Sequence, residues 1–390
     1  MAENSFQHWL THYDPTDQSP DILIDRFLCG INELGIDVYR SSMWLPTSHP
    51  ELWGTQVIWL RGQATEVLRR DHHIASTSIF LNTPGEAVYE ARTPLRWRLD
   101  GKDDDIPYPM LKDIRQEGGT DYFIVPLHCG HDKDMPWITF TTQREGGFST
   151  LELNTLEDLS IKLSWKARVT VAEMASRSLL SVYLGRNAAQ RVMNGEFKRG
   201  TGERINAVIW FCDMRGFTRL GDTHSAEDLV EILDHYFECL ATPVEQAGGE
   251  ILKFIGDAVL AIFPIGNTPG VECEKALSAA EAALQNLAEW SGQDDNRPTL
   301  KAGIALHIGE VLYGNIGGSS RLDFTVIGST VNEASRIESL CKQTYPILLT
   351  EGVKRHLPDR KLASIGEQEL RGVNQPLELF TLASMANPAA

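Results

Sequence analysis

The 390-residue chain lacks any apolar run approaching the ~18–20 residues that span a bilayer. Its most apolar stretches, Ala207 to Cys212 and Ala258 to Ile265, are strand-sized, so no membrane span is expected. The start, Met1-Ala2-Glu3-Asn4-Ser5-Phe6, has neither a basic n-region nor an apolar h-region, and the expected location is the cytoplasm. Cysteine is sparse: Cys29, Cys129, Cys212, Cys239, Cys273 and Cys341 stand singly, without the CxxC pairs of a zinc or redox motif, and read as buried free thiols. Neither a GxxxxGK[ST] loop nor a GxGxxG after a strand is found, which excludes a P-loop and a Rossmann dinucleotide site. Basic charge is short as well. With 36 basic against 53 acidic residues, the net charge of −17 repels nucleic-acid backbones and anionic lipid, leaving room only for a local basic pocket that takes a phosphate ligand.

What is present is an ordinary globular composition, 42% hydrophobic and 23% charged, which excludes disorder over most of the length. At roughly 100–200 residues per domain, two or three domains are expected. Leu23, Ile24, Phe27, Leu28 and Ile31 recur at helical spacing and predict an amphipathic helix over Asp21 to Leu34. Strand candidates follow at Val38 to Leu45, Thr55 to Leu60, Thr93 to Leu99, Asp121 to Leu127 and Pro136 to Thr142, an α+β domain with an antiparallel sheet. Ser149 with Glu152 three residues on forms a capping box. It opens a helical stretch reaching to about Val192 that carries Leu156, Leu159 and Leu163 on one face. That stretch reads either as a core helix of the first domain or as a signalling helix whose leucine face packs against a partner. The expected boundaries are a first domain over 1–148, a helical connector over 149–195 beginning at this box, and a second domain over 196–385.

From Asn206 strands and helices alternate. A strand over Asn206 to Cys212 precedes a helix capped by Ser225 and Asp228, whose Leu229, Ile232, Leu233, Tyr236, Phe237 and Leu240 make one core face. Glu250 to Phe263 reads as two strands meeting at Gly256-Asp257. Glu272 to Trp290 is an Ala-rich helix. Strands at Thr299 to His307, Val311 to Asn315 and Asp323 to Ile327, a helix over Thr330 to Lys342 and strands near Ile347 and Leu377 complete the second half.

Two acidic residues of this half stand where catalytic metals are held: Asp213 immediately after the first strand, and Asp257 in the hairpin turn. Ends of adjacent strands lie ~5 Å apart, so both carboxylates can face one point and hold Mg²⁺. Asp at a strand end is also a common cap or turn former. Lys253 precedes Asp257 on the same strand, and Asn332 and Arg336 stand one helical turn apart on one face. Two carboxylates, an amide, a guanidinium and an ammonium make an inventory for phosphoryl transfer.

The segments Phe211-Cys212-Asp213-Met214-Arg215-Gly216-Phe217-Thr218, Gly249-Glu250-Ile251-Leu252-Lys253-Phe254-Ile255-Gly256-Asp257 and Phe324-Thr325-Val326-Ile327-Gly328-Ser329-Thr330-Val331-Asn332-Glu333-Ala334-Ser335-Arg336-Ile337-Glu338 resemble the class III nucleotidyl cyclase catalytic domain, and Leu370 to Phe380 resembles its last strand pair. The resemblance covers residues 196–385 and implies a ferredoxin-like βαββαβ core. It further implies that Asp213 and Asp257 bind two metal ions, Mg²⁺ or Mn²⁺, that Asn332 orients the ribose, and that Arg336 stabilises charge during attack of the 3′-hydroxyl on the α-phosphorus. The sites would lie at a homodimer interface, each built from both protomers. Lys253 is donor-only, so it suits N1 of adenine and opposes the N1–H of guanine; guanylate cyclases resemble this motif with Glu there. Many adenylate cyclases place Asp where this chain has Thr325, whose hydroxyl can also accept from N6. This departure resembles a subgroup with Thr, some of whose members respond to bicarbonate. Arg371 and Lys301 are basic residues that could reach the triphosphate or stand as solvated surface charges.

Thr120 to Leu127, Ile138 to Thr142 and Gly147-Phe148-Ser149 resemble the closing strands and exit helix of a GAF-type sensory domain, implying a small-molecule or protein effector. His128, Cys129, His131 and Asp132 are irregularly spaced and read as a polar hairpin loop rather than a metal site; His72-His73 reads as surface. The expected function is an adenylate cyclase turning ATP into cyclic AMP. Its alternatives are a silent cyclase-fold module, disfavoured by the presence of Asp213, Asp257, Asn332 and Arg336, and a guanylate cyclase, disfavoured by Lys253.

Overall fold

The computed structural model describes residues 2–12, 14, 19–101, 106–128, 135–293, 297–341, 345–373 and 375–386. Two units are distinguished, Met1–Val182 and Tyr183–Ala390.

The first unit runs α1 (Ala2–Thr11), α2 (Pro20–Glu33), β1 (Arg40–Pro46), β2 (Leu52–Leu60), β3 (Glu66–Asp71), α3 (Pro84–Ala91), β4 (Leu95–Arg98), α4 (Pro109–Gln116), β5 (Asp121–Pro126), β6 (Trp137–Thr142) and the start of α5 (Thr150–Leu184). Its sheet has the order β3-β2-β1-β6-β5-β4, antiparallel throughout. Helices cover both faces, so β5 and β6 are buried at every position. Phe123 and Val125 turn toward α1, α2 and α5, whereas Tyr122 and Ile124 turn toward α3 and α4. The predicted capping box forms: the Ser149 backbone N–H and hydroxyl donate to the Glu152 carboxylate at 2.8 and 2.7 Å, and the Glu152 N–H returns to the Ser149 hydroxyl at 3.3 Å. Leu156, Leu159, Leu163 and Ala167 are buried in the core of this unit. The core-helix reading therefore holds for the first half of α5, and its leucine face is not free for a partner.

The second unit adds α6 (Arg186–Met193), β7 (Gly202–Met214), α7 (Phe217–Thr223), α8 (Ala226–Gln246), β8 (Glu250–Ile255), β9 (Ala258–Pro264), α9 (Pro269–Gly292), β10 (Ala302–Gly317), β11 (Leu322–Ile327), α10 (Ser329–Glu338), β12 (Ile347–Thr350), β13 (Leu362–Gln368) and β14 (Leu377–Leu382). The central strands stand in the order β10-β7-β9-β8, each antiparallel to its neighbour, and β11 pairs with the far half of β10. Along β7, Val208, Trp210, Cys212 and Met214 join the core with α8 and α9, and Ala207 and Ile209 join the core with α6 and α10. Asp213 belongs to this second set by the two-residue period of a strand. Ser225 caps α8 as expected, accepting from the Asp228 N–H at 3.1 Å.

Cys212, Cys273 and Cys341 are buried free thiols, but Cys29 is exposed, its thiol donating to the Asp25 carboxylate at 3.8 Å, and Cys239 is half-buried against the core of the second unit. Cys129, His131 and Asp132 lie outside the described residues. His128 is exposed, and His72 and His73 sit in an exposed turn where the His72 ring bonds the backbone carbonyl of His49 at 3.0 Å. Among the described residues no helix is long and apolar enough to cross a membrane.

Candidate active site

β7 delivers Asp213 at its last turn of pairing, opposite Gly303 of β10. The β8–β9 hairpin delivers Asp257. Its tight turn is closed by Gly256 at φ 64°, a left-handed conformation that a side chain would strain. β9 lies beside β7, so the two carboxyls come within hydrogen-bonding reach of one another. Asp213 is raised above the ordinary carboxylate range, first by burial and then by the charge of Asp257, with Arg215 opposing in part. That repulsion is what a bound divalent cation relieves. Two carboxylates also fit Mg²⁺ or Mn²⁺, which take one or two protein carboxylates and complete their shell with water and substrate phosphates. Among the described residues no group of three or more His, Cys, Asp or Glu makes a closed protein cage.

A second pair braces this corner. The Arg215 guanidinium bonds the carboxylate of Glu338 and, at 2.9 Å, its backbone carbonyl. Burial pushes Glu338 up to about 7, and the charges of Asp213 and Asp257 add to it against Arg215. The role of this pair is not visible in the motif strings, although both residues stand inside them.

Lys253 lies on β8 opposite Leu260 of β9, whose side chain belongs to the same face as Ala207 and Ile209. Its ammonium bonds the carboxylate of Asp323 on β11. Sequence reasoning stopped at Thr325 and missed Asp323. The signal was there: the two residues stand two apart on one strand and share a face. Thr325 itself is buried and pairs with Gly314. The bond from Lys253 holds the Asp323 carboxyl below the usual range.

α10 carries Asn332, exposed, and Arg336, half-buried, one turn apart. The guanidinium of Arg336 lies against Gly372, where a methyl would stand 3.7 Å from Nη2, and so beside the turn that bears the exposed Arg371. Lys301 is exposed and gives its backbone carbonyl to the Arg215 N–H at 2.8 Å. Among the described residues neither Asn332 nor Arg336 makes a hydrogen bond or ion pair with Asp213 or Asp257.

Residues 202–384 match the model of the adenylate and guanylate cyclase catalytic domain. The adenylate cyclase of Anabaena cylindrica is 34% identical over 205 residues, 51% of this chain and 39% of that protein. An uncharacterized protein of Mycobacterium tuberculosis is 34% identical over 207 residues, 52% of this chain and 36% of that protein. This chain therefore spans well under half the length of these curated relatives. A bacterial light-regulated adenylyl cyclase has a similar fold, with a TM-score of 0.51 and 18% identity over 72% of this chain and 89% of its own. The three motifs, the strand order that brings Asp213 to Asp257, and the domain match all fall on one stretch of sequence, and residues 202–384 carry an adenylate and guanylate cyclase catalytic domain.

Proposed function

We propose that the chain is an adenylate cyclase, converting ATP to 3′,5′-cyclic AMP and pyrophosphate at sites shared by two protomers. The observation that carries this reading is the facing of Asp213 and Asp257 at the end of β7 and the β8–β9 turn, a cation-binding corner beside a strand that presents a donor-only side chain. Divalent cations, when bound there, supply positive charge to the triphosphate and acidify the 3′-hydroxyl. The chain's own residues do the rest. Asp213 and Asp257 hold the cations, and Asn332 orients the ribose so that the hydroxyl oxygen stands in line with the bond to be broken. The 3′-oxygen bonds to the α-phosphorus as the bond to the bridging oxygen breaks, the hydroxyl proton passes to solvent, and pyrophosphate leaves. Arg336 stabilises the charge that develops on the phosphoryl oxygens, and Arg371, on the neighbouring turn, stands toward the triphosphate.

Lys253 donates to N1 of adenine and Thr325 accepts from N6. A guanylate cyclase would oppose its own substrate at Lys253. Two protomers are part of this reading through the resemblance to the class III cyclases, in which a head-to-tail dimer brings one protomer's acids to the other's α10. The first unit supports a GAF-like sensory role through its single antiparallel sheet covered by helices on both faces, and its effector would act on the cyclase unit through the connector. The test is cyclic nucleotide production by purified protein from ATP and from GTP with Mg²⁺ or Mn²⁺. Cyclic AMP is expected. Product from GTP alone would make it a guanylate cyclase, and no product from either would favour a silent nucleotide-binding module.

A further inference from the structure

Lys253 and Asp323 lie on strands that approach one another without pairing: β8 is the sheet edge beyond β9 and comes close to β11, which among the described residues pairs with β10. The ion pair is thus the link that carries the ammonium from the edge strand across to β11. Neither partner is buried, with side-chain exposures of 38% and 35%. An exposed ion pair contributes only ~0–1 kcal/mol to stability, so holding the fold together does not account for it. Its consequence is positional. Residues two apart on one face of a strand stand ~7 Å apart, so an ammonium bonded at Asp323 lies beside the Thr325 position, at a separation that one purine edge can bridge.

We infer that Asp323 is a positioning residue for base selection, holding the Lys253 ammonium beside Thr325 so that donor and acceptor together meet the edge of adenine. This rests on the adenylate cyclase reading and deepens it. A lysine has three N–H donors on a stem of four rotatable methylenes. Asp323 occupies one donor and fixes the stem; the other two remain for the N1 lone pair. Without the carboxylate, binding the base must also freeze a freely rotating side chain, which weakens the contact. The carboxylate adds discrimination of its own. While bonded to Lys253 it is not free to accept from the N1–H of guanine, and its negative charge stands against the O6 acceptor. Arg321, at 3.6 Å from the other oxygen of Asp323 and 84% exposed, neutralises part of the charge from solvent without displacing Lys253.

The experiment compares full-length wild type, Asp323→Asn, Asp323→Glu, Lys253→Met and the double variant Lys253→Met/Asp323→Asn. The readouts are kcat and KM for ATP and for GTP, with binding of 3′-deoxy-ATP in Mn²⁺, which lacks the attacking hydroxyl and reports affinity alone. Asp323→Asn should lose about tenfold in kcat/KM for ATP, carried by KM and by weaker 3′-deoxy-ATP binding, and its preference for ATP over GTP should narrow. Asp323→Glu should recover part of the loss. In the Lys253→Met background Asp323→Asn should cost nothing further, because the side chain it positions is gone. An undiminished loss in that background would overturn the inference by making Asp323 merely structural. Wild-type behaviour of Asp323→Asn would also overturn it, and so would higher activity, which would make the carboxylate a restraint on Lys253. If Asp323→Asn unfolds, the Asp323→Glu and Lys253→Met/Asp323→Glu pair makes the same comparison. A wild-type protein that makes no cyclic AMP would instead overturn the underlying reading, and the inference with it.

Discussion

Arg215 holds Glu338 twice, donating from one guanidinium to both the carboxylate and the backbone carbonyl of the same residue. Arg215 follows Asp213 by two positions, and Glu338 closes the helix that carries Asn332 and Arg336. The pair therefore fixes the end of α10 to the end of β7. The guanidinium lies over Gly303 so closely that a methyl there would overlap it.

Glu338→Ala is expected to destabilise the second unit by about 3 kcal/mol, the low end for a broken buried pair, because Arg215 keeps 32% of its side chain in solvent. Glu338→Gln should cost less, since its amide oxygen still accepts from the guanidinium. Gly303→Ala should cost at least as much as Glu338→Ala by displacing Arg215. Denaturant unfolding of the three variants checks the order; equal stability of Glu338→Ala and wild type would show that the pair is idle.

The acidic pair makes a prediction that needs no turnover. Because Asp213 is raised by its burial and by Asp257, neutralising either carboxyl relieves repulsion in metal-free protein. Asp213→Asn and Asp257→Asn should unfold at the same temperature as wild type or higher without metal. Mn²⁺ should raise the wild-type Tm, growing as RT ln(1 + [Mn²⁺]/Kd), and should leave both variants unmoved. Cyclase activity of each should fall on the order of a thousandfold. A variant that still gained stability from Mn²⁺ would place the cation elsewhere.

Local pattern carried much of this far, and its failures are equally local. The capping boxes at Ser149 and Ser225 were legible because they are contiguous, and the same holds for the Gly256-Asp257 turn. β10 was read as two strands with a break, yet it runs unbroken from Ala302 to Gly317. Its pairing with β7, register for register from Ala302 to Gly314, overrides the local preference of Gly309. β3, with the sequence EVLRRD, is too charged to read as a strand and forms because β2 offers it an edge. The ion pair of Lys253 with Asp323 joins strands far apart in the chain, and its one local signal was the place of Asp323 two residues before Thr325 on the same strand. For α5 the heptad-like leucines were visible, but spacing alone cannot say which surface covers them; α1 and α2 do.

A shared site predicts rescue between two dead chains. Asp213→Ala removes the acids' function from one protomer and Arg336→Ala removes the guanidinium from another, so a heterodimer has one site with both defects and one with neither. With free exchange, half of the dimers are mixed and each has one working site, so about a quarter of wild-type activity should return. Activity that stayed at the level of the separate variants, with exchange proven by differently tagged chains, would put every residue of a site in one protomer.

The last prediction concerns the entrance to α5. Arg144 donates to the Glu152 carboxylate at 2.8 Å, while the Ser149 N–H and hydroxyl bond the same group. These bonds, that of Arg144 first, hold Glu152 down at about 2. The native pKa is lower than that of a free glutamate, so the unfolded chain binds the extra proton, and the stability this group contributes is present in full above pH ~4.5. It is lost as pH falls through that value toward about 2. Glu152→Gln should lose the anion-dependent part at neutral pH and show a flatter decline of Tm with acid, whereas Ser149→Ala should remove about 1 kcal/mol of cap stability and leave the Arg144 contribution to the slope in place. Melting curves of wild type and both variants between pH 3 and pH 7 decide it. If Glu152→Gln follows the wild-type acid slope, the carboxylate is not the group whose protonation loosens the start of the helix.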